Sequence, residues 1–291
     1  EIYTLSLHDA LPIWSAIISS ETHFVCGHCE QCRTNKANIC PNTVILGINV
    51  NGAFAEYVAI PEKAAWKNEV DTDPAYLAIQ EPLGNAVHTI LAGKTVGRSI
   101  AVVGCGPVGM LAIPVAAKSG AKQIIAVEPH EYRASLAKKL GAHGVINPVK
   151  ENVVEAVKEV TGGCGADVVA EMSGNPTALQ NALKYIKPGG RISLLGIAGE
   201  NIELDIANDV IFKGVTLQGI IGRTLFENWY TVKGLIESKD FNLHPVVTHR
   251  FKLEDYEQAF DLMGSGNSGK IALYPHENIF KKRRPDRKSV V

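Results

Sequence analysis

The sequence predicts an α/β protein: a doubly wound parallel-sheet domain joined to a smaller, incomplete β-rich domain that carries a cysteine lobe. Three observations predict it. From about Glu81 to Gly222, short continuous apolar runs alternate with helical segments, as in parallel strands covered on both faces. The first strand runs straight into Gly104, Gly106 and Gly109, spaced G-x-G-x-x-G, and then into a helix. Upstream, Cys26, Cys29, Cys32 and Cys40 stand as C-x2-C-x2-C-x7-C within a Gly- and Asn-rich stretch.

Residues 14–80 form the partial β-rich domain, with short β-like runs such as FAEYVAI (Phe54 to Ile60). EVDTDPAYLA begins a helical stretch, with Asp73 and Pro74 placed as its start signal. Residues 81–222 form the sheet domain. SIAVVG (Ser99 to Gly104) is a buried strand, PVGMLAIPVAAKSG (Pro107 to Gly120) an apolar helix stopped by glycine, and QIIAVE (Gln123 to Glu128) a second strand. EYRASLAKKLG is an amphipathic helix, again stopped by glycine. The strand GVIN, a helix around ENVVEAVKEVTG, the strand DVVAEMSG, the helix TALQNALKYIKPGG and the strands RISLLGI and VTLQGI complete the alternation. Residues 223–285 hold the helix FENWYTVKGLIESKD, the strand HPVVTHRF and the helix LEDYEQAFDLM, a tail expected to fold back on the first domain.

The 291 residues are 46% hydrophobic and 20% charged, with formal net charge −1. That is ordinary globular composition, long enough for two domains. It carries no electrostatic footprint for nucleic acid or membrane, and no apolar run approaches the length needed to span a bilayer. The apolar patch from Leu11 to Ser19 lacks the basic leader of a signal peptide. Four of the six cysteines sit in one run, whereas a secreted disulfide scaffold spreads them more evenly. This pattern points to a reducing, cytoplasmic setting and a bound metal.

The two ends stand apart. HDALPI (His8 to Ile13) and DRKSVV (Asp286 to Val291) can be encoded by complementary DNA strands, and the string resembles a translated sequencing adaptor. Residues 1–13 and 286–291 are therefore taken as adaptor-derived scars and excluded from fold reasoning, and the natural reading frame is expected to continue upstream of Trp14. The basic run Lys281 to Pro285 beside the second scar is read as a solvated tail.

In the glycine motif the first glycine makes the tight turn, the second lets a pyrophosphate approach the backbone, and the third lets helix and strand pack closely. The helix N-terminus then offers free N–H groups and a positive dipole to the phosphates. Glu128 lies 19 residues after Gly109, at the end of the second strand. A carboxylate there accepts from the adenosine ribose hydroxyls and favours NAD over NADP. Arg133 stands close enough to flank the adenosine, and Val108 lies beside any bound pyrophosphate. The competing reading is a glycine-rich turn that binds nothing. The four cysteines suit a closed tetrahedral zinc, which leaves no position for substrate. Their competing readings are a free-thiol loop and an RNA-binding zinc knuckle. The knuckle needs basic and aromatic neighbours, and only Arg33, Lys36 and two histidines are near.

A closed zinc lobe next to a dinucleotide-binding unit resembles the zinc-dependent medium-chain dehydrogenase/reductase family, from about Ser20 to Tyr274. ETHFVCGHCEQCR, GAFAEYVAIP, QEPLGNAVHT, EMSGNP, VIFKG, FENWY, THRF and SGNSGKI resemble the family members that oxidise L-threonine. The resemblance implies a Rossmann NAD domain, a GroES-like catalytic domain, NAD and zinc as cofactors, a small-molecule substrate and a tetrameric homo-oligomer. It places Cys26, Cys29, Cys32 and Cys40 on a structural zinc. Val108, Glu128, Arg133, Leu195, Gly196, Ile197, Ile220 and Ile221 fall where the family contacts NAD. Glu81 matches a carboxylate kept beside the catalytic zinc; its competing reading is an exposed residue opening a helix. His23 resembles a histidine near the substrate pocket, or is a packing or surface histidine. His88 is read as structural, and Arg223 as facing the cofactor's charged middle.

The chain also departs from the family. The cysteine and His-Glu pair that hold the catalytic zinc, and the Thr and His that relay its proton, are expected upstream of the lobe and are not found there. Apolar surface in the small domain is expected to lie exposed. The resemblance thus implies oxidation of the secondary alcohol of L-threonine by the parent protein, with this chain inactive. The alternatives are a polyol (sorbitol-type) or other secondary-alcohol dehydrogenase, and a non-catalytic NAD-binding zinc protein.

Overall fold

The computed structural model describes residues 17–68, 72–238 and 240–275. Both presumed scars and the basic run at 281–285 lie outside them. The amino-terminal part holds β1 (Ile17–Ser20), β2 (His23–Phe24), α1 (Glu30–Arg33), β3 (Val44–Ile45), β4 (Ala65–Asn68) and α2 (Pro74–Leu77). β1 pairs antiparallel with β4, and β2 with β3. As its sequence predicts, α2 is opened by Asp73, whose side chain accepts from the Ala75 N–H at 2.9 Å, with Pro74 in the first turn.

The sheet unit comprises α3 (Gln80–Leu91), β5 (Ser99–Val103), α4 (Pro107–Lys118), β6 (Gln123–Val127), α5 (Glu131–Lys139), β7 (Gly144–Ile146), α6 (Val153–Val160), β8 (Ala166–Glu171), α7 (Pro176–Tyr185), β9 (Ile186–Leu194) and β10 (Thr216–Gly219). Its six strands are all parallel, in the order β10-β9-β8-β5-β6-β7. Period-two geometry explains why these strands are apolar throughout. Ile100, Val102, Ile124 and Ala126 enter one core with Leu83, Val87, Met110 and Ile113 from α3 and α4. The intervening Ala101, Val103, Ile125 and Val127 enter a second core with Val157, Leu179 and Leu183 from α6 and α7.

The remaining chain holds α8 (Glu227–Glu237), β11 (Val247–Lys252), α9 (Tyr256–Gly264) and β12 (Lys270–Tyr274), with β11 and β12 parallel. Its contacts with the amino-terminal part include Arg250 Nη2 at 2.9 Å from Asp73 Oδ2, the Phe54 and Phe260 rings stacked at 6.0 Å, and Trp66 against Trp229 at 5.4 Å. Among the described residues no helix is long and apolar enough to cross a membrane.

Three segments differ from the sequence expectation. Phe54 to Ile60 alternates like a strand but forms none; among the described residues no strand lies beside it to receive its backbone bonds, and it lies open, with Phe54 65% and Tyr57 76% exposed. These two line a cleft of about 810 Å³ with Phe24, Val50 and Val58. Residues 206–211 form a π-helical turn that the pattern did not announce. Strand β9 begins at Ile186 rather than Arg191 and carries Pro188 and two glycines, with a register shift against β8 where this segment bulges.

Candidate functional site

The cysteine lobe is built by local turns. Gly27 and Asn35 take positive φ of 81° and 59°, which brings the chain back on itself either side of α1. The four sulfurs lie within 4.8 Å of one another, with Cys26–Cys40, Cys29–Cys40 and Cys26–Cys32 at 3.6, 3.7 and 4.0 Å. A tetrahedron with metal–sulfur bonds of about 2.3 Å has edges of about 3.8 Å, so the set fits zinc. Hydrogen bonds from the backbone amides of His28 and Cys29 pull the Cys26 thiol down to about 5. Desolvation and the neighbouring sulfurs push Cys32 up to about 12. Four sulfurs this close do not all shed their protons without a cation between them. The lobe also reaches the sheet unit: Asn38 Nδ2 donates to the Ile221 carbonyl at 3.0 Å.

The glycine motif sits at the carboxyl ends of the strands, where β5 meets α4. Gly104 has φ 83°, and a Cβ there would lie 2.8 Å from the Ser173 Cβ. A Cβ on Gly109 would lie 1.9 Å from the Gly104 carbonyl oxygen, so the helix packs directly on the turn. At Gly106, the residue before α4, a Cβ would meet nothing within 4 Å. That open space above unpaired helix-terminal amides is what a pyrophosphate requires, and the chain fits a dinucleotide here. Val108 lies in the first turn of α4, partly buried against the core.

Glu128 follows β6 and is buried. Its Oε2 accepts from the Cys105 N–H at 2.7 Å and its Oε1 from the His130 N–H at 3.0 Å. Each oxygen retains a lone pair for a ribose hydroxyl, but the carboxylate also braces the glycine loop, a role the spacing alone did not reveal. Arg133 Nε donates to the Ser268 carbonyl at 3.2 Å, tying α5 to the loop before β12. Leu195, Gly196 and Ile197 follow β9; the first two amides donate to the Glu171 carbonyl at 2.9 and 3.0 Å, and Ile197 is almost fully exposed. Ile220 is buried, its amide donating to the Leu194 carbonyl at 2.8 Å, whereas Ile221 is half exposed.

Glu81 and His23, 58 residues apart in sequence, converge on one cluster. Glu81 Oε1 accepts from Thr22 Oγ1 at 3.0 Å and pairs with Arg223 Nη1 at 2.8 Å; Oε2 has no partner among the described residues. His23 Nδ1 lies 3.2 Å from Arg223 Nη2 and 3.1 Å from Thr22 Oγ1. Arg223 does not face a cofactor's charged middle, as its position in the chain suggested. It is buried between two carboxylates, Glu81 and Glu21. Glu21 carries no sequence signal, because its side-chain partners Arg223 and Trp229 stand some 200 residues away and leave no local spacing to detect. His88 Nδ1 lies 3.1 Å from the Gly222 carbonyl, a structural contact holding α3 to the segment before Arg223. Among the described residues the four thiols are the one group of three or more metal-ligand side chains. Glu81 and His23 alone do not fit a second, open zinc.

Comparison with known proteins agrees with this fold. Residues 16–70 match the alcohol dehydrogenase GroES-like domain, and residues 107–238 the zinc-binding dehydrogenase domain. An L-threonine 3-dehydrogenase of Caldanaerobacter subterraneus subsp. tengcongensis is 52% identical over 260 residues, covering 89% of this chain and 75% of the relative. The Thermococcus kodakarensis L-threonine 3-dehydrogenase is 49% identical over 261 residues, with the same coverage of each. Among solved structures, a zinc-binding dehydrogenase of Sinorhizobium meliloti bound to NADP superposes with a TM-score of 0.81 at 28% identity, covering 89% of this chain and 77% of that one. An alcohol dehydrogenase of Thermus sp. ATN1 gives 0.79 at 27%, covering 88% and 76%. With half its residues shared over most of its length, a parallel six-stranded sheet and a four-thiol lobe, the chain belongs to the zinc-binding alcohol dehydrogenase family.

Proposed function

We propose that this chain is the NAD-binding and structural-zinc part of an oxidoreductase that converts the secondary alcohol of L-threonine to the ketone of 2-amino-3-ketobutyrate. The observation that carries the reading is the open glycine cradle at Gly106, found in the same chain as a Glu81 carboxylate paired with Arg223. The threonine dehydrogenases that share half of its residues support the substrate. NAD, when bound, accepts the hydride that leaves the substrate carbon. The chain's own groups do the rest. The amides at the start of α4 receive the pyrophosphate, and Glu128 holds the turn that presents them. Glu81 keeps one carboxylate oxygen anchored by Thr22 and Arg223 and the other, among the described residues, without a partner, as a group that takes a proton from a hydroxyl must. Glu21, Glu81 and Arg223 together carry net charge −1, which favours the substrate's ammonium group.

The described residues do not fit a second, open zinc. The chain as it stands therefore binds NAD with little or no turnover. Isothermal titration with NAD, and NADH formation with threonine and with sorbitol, test this. Micromolar NAD binding without turnover is expected. Zinc-dependent threonine oxidation by these 291 residues refutes the inactive reading, and no NAD uptake refutes the oxidoreductase reading. That the described residues hold a single metal-ligand set favours one further reading, a non-catalytic NAD- and zinc-binding protein. As part of the same proposal we assign the division 14–80, 81–222 and 223–285 to the domains, a cytoplasmic location, and a homo-oligomeric (tetrameric) state. Six unpaired cysteines support the reducing location.

A further inference from the structure

We propose that Glu21 is a positioning residue for Glu81: by gripping Arg223 side-on, it aims the remaining edge of the guanidinium at the Glu81 carboxylate. The inference rests on the reading of Glu81 as the reacting carboxylate.

Both partners of the grip are buried, each 1% exposed. Glu21 receives four donors: Arg223 Nε at 2.7 Å, Arg223 Nη2, Trp229 Nε1 at 2.7 Å and the His23 amide at 2.8 Å. Burying an ion pair is a weak source of stability, since apolar side chains of similar volume often do as well. An ionic pair at this place therefore calls for a directional reason. The guanidinium is a rigid planar fork, and two bonds along its Nε–Nη2 edge leave it one orientation. In that orientation Nη1 lies 2.8 Å from Glu81 Oε1 and donates to Asn85 Oδ1 at 3.1 Å.

The stem is fixed as well. A Cβ on Gly84, one turn after Glu81 on α3, would lie 2.7 Å from Arg223 Cδ, so the aliphatic chain rests directly against α3. Arg223 cannot swing without losing that contact. Thr22, the neighbour of Glu21, supplies the second donor to Glu81 Oε1. One short segment thus sets both hydrogen bonds that orient the Glu81 carboxylate, one directly and one through Arg223. Trp229 and Arg223 both follow β10, so the grip also joins the segment beyond the sheet to the amino-terminal part.

The test uses the 291-residue chain labelled with [δ-13C]glutamate, the Glu81 signal being assigned by its loss in Glu81→Gln. In Glu21→Gln, Arg223 keeps Glu81 as a counter-charge, so the variant retains a paired guanidinium. The Glu81 carboxyl resonance is expected to shift by more than its linewidth. Trp229→Phe removes one donor to Glu21 but leaves the two-point grip, and there the resonance is expected to stay in place. Glu21→Asp keeps the charge and shortens the reach; it is expected to shift the signal in the same direction, and it serves if Glu21→Gln does not fold. The proposal fails if the Glu81 signal is unmoved in Glu21→Gln while the Trp229 indole N–H shifts, or if Trp229→Phe moves it equally. NAD titration of the wild-type chain is read separately, so loss of the oxidoreductase reading is distinguishable from loss of this one.

Discussion

The Glu128 carboxylate accepts a 2.7 Å hydrogen bond from the Cys105 amide, from beneath the loop that Gly104, Gly106 and Gly109 define. A residue expected to hold a ribose therefore also holds the turn that cradles the phosphates. Its second oxygen takes the His130 amide at 3.0 Å, so the buried Cys105 N–H and the partly buried His130 N–H depend on one carboxylate.

In Glu128→Gln one of those amides faces an NH2 group and goes unpaired. Where it is the buried Cys105 N–H, the orphaned donor costs about 1–3 kcal/mol, which urea denaturation reads as a lower midpoint. NAD affinity falls as well, by about tenfold or more, corresponding to about 1.4 kcal/mol per decade. Unchanged stability with weakened binding would mean that the carboxylate serves only the ribose.

The two downstream glycines of the motif separate packing from ligand approach. Gly109→Ala drives a Cβ to 1.9 Å from the Gly104 carbonyl, a backbone clash that costs about 1–3 kcal/mol or more. Gly106 has φ −63° and open space around its Cβ position. Gly106→Ala is therefore expected to leave the unfolding midpoint nearly unchanged and to weaken NAD binding about tenfold or more, because the methyl occupies the space the pyrophosphate needs.

The contrast marks what a sequence reader can reach. Ser99 to Val103 and Gln123 to Val127 were legible because strands buried on both faces leave unbroken apolar runs, and the motif between them is local. The four cysteines were legible for the same reason: a metal knuckle is short-range. Glu21 was not, since its partners Arg223 and Trp229 follow 202 and 208 positions later. Phe54 to Ile60 misled because alternation states which face a strand would bury, not whether a neighbour is there to pair with it.

Thiol reactivity reports on the lobe. With zinc bound, alkylation at neutral pH is expected to modify only exposed Cys164. After chelation Cys26, whose thiol is drawn down to about 5, reacts first, and Cys29, Cys32 and Cys40 follow. Cys105 stays unmodified until unfolding, because burial, and next the Glu128 charge, push its thiol upward. Mass spectrometry counts the adducts. Chelation is also expected to weaken NAD binding, since Asn38 in the lobe holds the Ile221 carbonyl at 3.0 Å.

The acid limb of the stability curve follows from Glu21 and Asp167. Burial raises the Glu21 carboxyl, but hydrogen bonding by His23, the Arg223 charge and the Trp229 indole outweigh it and bring the value from 4.5 to about 2. At Asp167 burial likewise acts upward, and the Ser99 amide and hydroxyl with Lys187 carry it from 3.8 to about 2. A depressed carboxyl stabilises the fold fully above its unfolded value and loses that contribution as pH falls through the folded one. Both contributions are thus present above about pH 5 and decline between about pH 4.5 and 2. At about 1.4 kcal/mol per pH unit, Glu21 accounts for at most about 3.5 kcal/mol. Lys187 and Arg98 are partly exposed, which reduces the Asp167 share. Urea midpoints from pH 7 to pH 3 should fall for the wild-type chain and fall less for Glu21→Gln, which begins lower and lacks that titrating group. Parallel curves for the two would show that the Glu21 carboxyl titrates alike in the folded and unfolded chain.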